Sequence, residues 1–495
     1  MSDPAPLLAP WSGPHGLPPF DAIEANAFRP AFARAIEEAR AEVEAVAADP
    51  AAPSFANTVA ALERAGATLD RVARVFFTYA GAHASPEIEA IQAEVSPELA
   101  RFSADTLTDP RLFARLDALM AQRDTLGLTP EQDRVLFLTH RRFLRAGAKL
   151  DETGRARMKE IMARLSALGV AFGRAVLAEE REWALPLAPE DLEGLPEDLV
   201  AAAAAAARER GREGHVITLS RSLVEPLLAA SPRRDLRETA WRAWAARGRN
   251  GDANDTRALA AETLALRAER AGLLGYESYA AFKLETEMAK TAGAARALME
   301  RVWAPARARA LEEAEKLSEL AAEDGINGPL EPWDWRYYAE KRRAREFALS
   351  EAEIKAHLPL EAMIAAAFDA AARLFGLAFE PLPDAPVWHA DVRAWRVTRD
   401  GREMGVFYGD YFARATKRSG AWCSSLRAQE KLAGYVRPVV VNVMNFAKGA
   451  EGAPPLLTFD DAETLFHEFG HALHNLLSDV TYPSVSGTSV ARDFV

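Results

Sequence analysis

The sequence predicts a mainly α-helical protein with one small β-sheet placed just ahead of a last amphipathic helix. Three observations carry this expectation. From about Phe28 to Phe375, Ala, Leu, Arg and Glu recur at helical spacing. Beyond Phe379 apolar and polar residues alternate. After a Gly/Pro-rich stretch the helical period returns and runs through His467-Glu468-Phe469-Gly470-His471.

Phe28, Phe32, Ile36, Ala39 and Val43 repeat every three to four residues, which places one apolar stripe along a helix. Helices are expected to break at Asp49-Pro50, Thr129-Pro130, Ala188–Pro196 and Gly248–Asp255, where Pro, Gly and Asp cluster. Around Asp400-Gly401 the alternation on both sides predicts a hairpin. The β-branched run Pro438–Val443 predicts a short buried strand. A loop is expected over Lys448–Pro455. Thr458 with Asp461 three residues on then forms a capping box, with Asp in place of the usual Glu. In the helix it opens, Leu465, Phe469, Ala472, Leu473 and Leu476 form the apolar stripe, and His467, Glu468 and His471 are expected beside it.

At 495 residues the chain is too long for one ordinary core. A hydrophobic share of 49% with 27% charged residues is that of a soluble globular protein. The net charge of −12 argues against nucleic acid or an anionic membrane as partner. The cluster Arg141, Arg142 and Arg145 reads as a charged helix face. Cys423 is the only cysteine, so no internal disulfide forms, and a cytoplasmic setting follows as the expectation. The Pro/Gly-broken N-terminus lacks a basic leader, and no run of 18 or more apolar residues predicts a membrane span.

His467 and His471 stand at i and i+4, so both imidazoles lie on one helix face and can bind one metal ion. Glu468, the next residue after His467, is the candidate general base toward an attacking water. A catalytic zinc takes three protein ligands and keeps one open position. The longer pattern with a glycine and a third histidine is excluded by His474 and Leu477. A glutamate about twenty residues past His471 would fall near Val490 and Ala491 and is missing there. Asp479, Asp493 and His474 remain, with helix-end, capping and partly buried roles favoured over ligation.

The stretches FHEFGHALH and YPSVSGTSVARDFV resemble the thimet oligopeptidase family of zinc peptidases, in particular its peptidyl-dipeptidase branch. Ordered matches extend over nearly the whole chain, among them FLRAGAKL (Phe143–Leu150), RRDLRETAWRAW (Arg233–Trp244), PWDWRYYAEK (Pro332–Lys341) and FYGDYFAR (Phe407–Arg414). The resemblance implies a zincin-type, two-lobed helical ellipsoid with a deep cleft, made of an N-terminal helical region over 1–225 and a metallopeptidase region over 226–495. It implies one Zn²⁺ held by His467 and His471, Glu468 as general base, and short unstructured peptides as substrates of a monomer. In that family the third ligand is the Glu directly after the DFV segment, which here would follow Val495, so the catalytic region is expected to be incomplete. Zincins bind substrate as an added strand on a sheet edge, and Ser419–Trp422, with Gly420 and Ala421 permitting close approach, is the candidate edge. Release of C-terminal dipeptides is the expected activity. The alternatives are an endopeptidase of the oligopeptidase A kind, or an inactive helical protein that lacks the third ligand.

Overall fold

Phe28, Phe32 and Ile36 do fall on one buried face of a helix, α1 (Phe28–Ala47), and that face meets α2 (Ala67–Ala82). The Phe76 ring of α2 stands edge-on to Phe28 and Phe32, with centroids 5.0 and 5.2 Å away. Helix α3 (Pro130–Ala146) begins at the predicted break. Thr129 and Gln132 cap it reciprocally, and Gly147 ends it in the left-handed conformation. The computed structural model describes residues 3–347, 351–414, 416–448 and 454–495. The chain forms two compact units, Met1–Asp151 with Glu351–Val495, and Glu152–Ser350.

The second unit contains α4 (Glu152–Glu182), β1 (Leu185–Leu187), α5 (Glu197–Glu209), β2 (His215–Ile217), α6 (Arg234–Ala245), α7 (Arg257–Leu273) and α8 (Pro332–Phe347). Its core gathers Leu187, Leu199, Val216, Leu227 and Trp333. Arg237 is buried, and it pairs at 3.0 Å with the fully buried Asp334. The strand pair β1–β2 escaped the sequence reading, since two three-residue strands are too short to show a period. The boundary expected at 225/226 falls inside the helix Arg221–Ala230 of this unit. Within Glu152–Glu180 of α4, one 18-residue window is long and apolar enough by composition to cross a membrane, at a mean hydropathy of 1.5. A count of uninterrupted apolar residues passes over it because Arg164 and Arg174 break the run. Arg157 and Arg164 of α4 pair with α7, through Glu269 and Glu262.

The chain then returns to the first unit with α9 (Leu360–Phe375), β3 (Leu377–Pro381), β4 (Arg393–Arg399), β5 (Arg402–Phe412), β6 (Trp422–Arg427), β7 (Val439–Phe446) and α10 (Phe459–Leu476). The five strands lie in the order β3-β4-β5-β7-β6, antiparallel except for the parallel pair β5–β7. Asp400 and Gly401 form the predicted hairpin, both at positive φ, +50° and +76°. Alternation along β7 covers both faces of the sheet. Val439, Val441 and Val443 pack toward α1 and α2, and Val440 and Met444 toward α9 and α10. Such a doubly buried strand reads as a continuous apolar run, which is why the sequence shows no alternation there. The expected loop Lys448–Pro455 lies mostly outside the described residues.

The capping box of α10 forms as expected. Asp461 N–H donates to Thr458 Oγ1 at 2.9 Å, and Thr458 N–H donates to Asp461 Oδ2 at 3.0 Å. Thr458→Ala is expected to destabilise the first unit by about 1 kcal/mol, the usual cost of a lost N-cap. Urea unfolding checks this, and an unchanged midpoint would show that the cap is dispensable.

Candidate active site

The two imidazoles of α10 stand one turn apart on the exposed side of the helix, with Nε2 atoms 3.1 Å from each other and rings nearly perpendicular at 89°. Two nitrogens at 2.0–2.1 Å from one tetrahedral zinc would be separated by about 3.3 Å. The pair therefore fits two positions of a zinc coordination sphere without rearrangement. Among the described residues no group of three His, Cys, Asp or Glu side chains comes together as a metal site. Asp479 is exposed and tied to Lys431 at 2.6 Å, while His474 stands edge-on to Phe494. Asp493 lies exposed in the terminal turn.

Glu468 is only 7% exposed and belongs to the buried face of α10, with Leu465, Ala472 and Leu476, not beside it as expected. The reason is helical geometry. Glu468 sits three residues after Leu465 and four before Ala472, which puts all three on one side, and a stripe drawn from apolar residues alone passes over it. Burial pushes its carboxyl above the ordinary range, and positive charge on His471 and His467 would oppose that shift. Facing it is Cys423 of β6, whose thiol is pushed up first by burial and then by the Glu468 charge. This thiol stays protonated and inert, in line with a structural role.

Asn475 was not singled out from sequence. Its Nδ2 donates to the His471 carbonyl at 2.9 Å and lies 3.8 Å from the Cys423 sulfur, and its Oδ1 accepts from Ser425 Oγ at 3.3 Å. It thereby clasps the motif helix to β6. Gly487, at φ +55°, lies against it, and a Cβ there would run into the Asn475 side chain. Without the fold, the only sequence signal was a lone amide on the polar side of a helix.

β6 forms one edge of the sheet. Gly420 and Ala421 precede the strand rather than sit in it. Gly420 takes φ +91° in open space, and its carbonyl accepts from Asn445 Nδ2 at 2.6 Å. Ala421 packs against the core below. The carbonyl of Ser425 points to the free edge, where Arg74 Nη1 donates to it at 2.9 Å. Alternation then places the N–H and C=O of Cys423 on the same free edge, one residue pair from the motif helix.

Upstream, Asp410 at the end of β5 is fully buried. It accepts from Trp388 Nε1 at 3.0 Å, Arg414 Nη1 at 2.8 Å and Lys417 Nζ at 2.8 Å. Lys417 also donates to the carbonyls of Asp410 and Phe412. Burial pushes the Lys417 ammonium down to about 8 against the pull of Asp410. Burial would raise the Asp410 carboxyl, but the hydrogen bonds from Arg414 and Lys417 outweigh it and hold the group below its usual range.

A helix that presents two metal-fitting imidazoles and a buried carboxylate beneath a strand edge is an arrangement suited to metal-assisted hydrolysis. Comparison with known proteins agrees. Residues 227–495 match Peptidase family M3. The chain is 41% identical to the dipeptidyl carboxypeptidase of Salmonella typhimurium and 38% to that of Escherichia coli, over 99% of its own length and 72% of each relative. To the oligopeptidase A of Salmonella typhimurium it is 32% identical, over 98% of this chain and 72% of that protein. The chain belongs to Peptidase family M3.

Proposed function

We propose that the protein is a zinc metallopeptidase that releases dipeptides from the C-terminus of short, unstructured peptides. The observation that carries this reading is the pair of imidazole nitrogens 3.1 Å apart, with Glu468 buried against the edge strand. His467 and His471 would hold the metal, which when bound polarises the scissile carbonyl and makes water more acidic. Glu468, raised by burial, is basic enough to take a proton from the attacking water and pass it to the leaving amine. The free N–H and C=O of Cys423 would hold the substrate backbone as an added strand, which demands an extended chain and so excludes folded proteins. The names of the Salmonella typhimurium and Escherichia coli relatives support dipeptide release, and the net charge of −12 supports peptides over nucleic acid or anionic lipid. A monomer working in the cytoplasm is the setting that goes with this reading.

Product analysis by mass spectrometry tests it. Successive loss of C-terminal dipeptides is the expected pattern. Internal cuts irrespective of the C-terminus would replace it with the endopeptidase reading.

A second reading, a chain of little or no activity, rests on two imidazole donors standing together with no third His, Cys, Asp or Glu beside them among the described residues. With two nitrogen donors the 495-residue chain is expected to hold zinc weakly and to lose it to a mild chelator during gel filtration. Stoichiometric zinc that survives this treatment would mean that another group completes the site.

A further inference from the structure

We propose that Arg418 is the specificity residue that binds the free C-terminal carboxylate of the peptide; this rests on the peptidase reading above. Beside β6 lies a cavity of about 860 Å³ whose lining includes Arg74, Gly81, Lys417, Arg418, Trp422 and Ser424. Among its charged lining residues Arg74, Lys417 and Arg418 are cations, and Asp70 and Glu89 are anions. Arg74 is committed to Asp70 at 2.6 Å and to the Ser425 carbonyl. Lys417 is spent on Asp410 and Phe412. Arg418 has no carboxylate within ion-pair distance among the described residues, and its guanidinium carbon lies over the Trp422 ring, 4.6 Å from the centroid.

The backbone around Arg418 is fixed on both sides. Its N–H donates to the Gly81 carbonyl at 2.9 Å, and its C=O accepts from Asn445 Nδ2 at 2.8 Å. Stacking on Trp422 restrains the side chain without consuming its donors, so the planar fork stays open for a carboxylate.

Two observations set the direction of the bound peptide. At the Ser425 end of the edge, Arg74 blocks further pairing. Arg427, beyond it, is spent on the carbonyls of His15, Gly16 and Arg437. The end at Trp422 alone offers an uncommitted cation, and an antiparallel strand on β6 would bring its C-terminus there.

An N-terminally fluorescein-labelled tetrapeptide, as free acid and as C-terminal amide, tests the assignment by anisotropy on the whole chain in zinc-free buffer, where binding is read without turnover. The wild type is expected to prefer the acid roughly ten- to hundredfold, the range of a charge-assisted pair. Arg418→Ala should abolish that preference. Arg418→Gln, which keeps a planar polar group without the charge, should behave like the alanine variant. An acid preference that survives in either variant overturns the clamp and leaves the peptidase reading standing. Equal binding of acid and amide by the wild type does the same. Binding of neither form removes the strand-addition reading together with the clamp.

Discussion

Glu468→Gln is expected to lower peptide turnover by roughly 10²–10⁴-fold at saturating zinc, while zinc binding stays as in the wild type. The amide keeps the size and the hydrogen-bonding reach of the carboxylate but cannot take a proton. His467 and His471 lie on the exposed side of the helix, away from the substituted group, so the metal donors are undisturbed. Burial makes the effect large. A base held above the ordinary carboxylate range transfers protons better near neutral pH than an exposed one, and no other carboxylate on the buried face of α10 can replace it. Parallel measurement of zinc content and turnover decides the point. A variant that keeps more than about a tenth of wild-type turnover would show that Glu468 is not the base.

Asp410→Ala is expected to cost the first unit roughly 3–5 kcal/mol, the usual price of leaving one member of a buried ion pair uncompensated. Lys417 has no side-chain exposure, and the substitution would strand its ammonium among carbonyls. Arg414 would keep its bonds to the Ala82 carbonyl, and Trp388 would lose its acceptor. Removing both charges with Asp410→Ala and Lys417→Met should recover much of the loss, because the penalty lies in the unpaired charge. Urea unfolding of the two variants reads both effects. A single-variant loss below about 1 kcal/mol would contradict the assigned burial.

Periodicity and turn chemistry made much of the fold legible. The stripe of α1, the breaks at Thr129-Pro130 and Gly248–Asp255, the Asp400-Gly401 hairpin and the Thr458 box are all local signals, and local physics sets them. Strand order was not legible. The pairing of β5 with β7 in parallel depends on contacts between distant residues, which no single-strand pattern encodes. In the site, the spacing of His467 and His471 is itself the geometry, so it could be read directly. The burial of Glu468 could not, because a charged residue on an apolar face looks like an interruption until its partner strand is in place. Asn475 and Arg418 acquire their roles only from what β6 brings beside them.

The first unit is assembled from the two ends of the chain, and this has a consequence for its synthesis. Arg74 and Ser425, which touch in the folded protein, are 351 residues apart. At a translation rate of about 5–20 residues per second, α2 leaves the ribosome roughly 20–70 s before the strand it must cover. During that interval the apolar faces of α1 and α2 can cover only each other, and Tyr79 and Val72 wait for a sheet that does not yet exist. The intervening second unit has its own core and can close first. The nascent chain thus carries a folded middle and an unsatisfied leading end, the state in which a holding chaperone contributes most to yield.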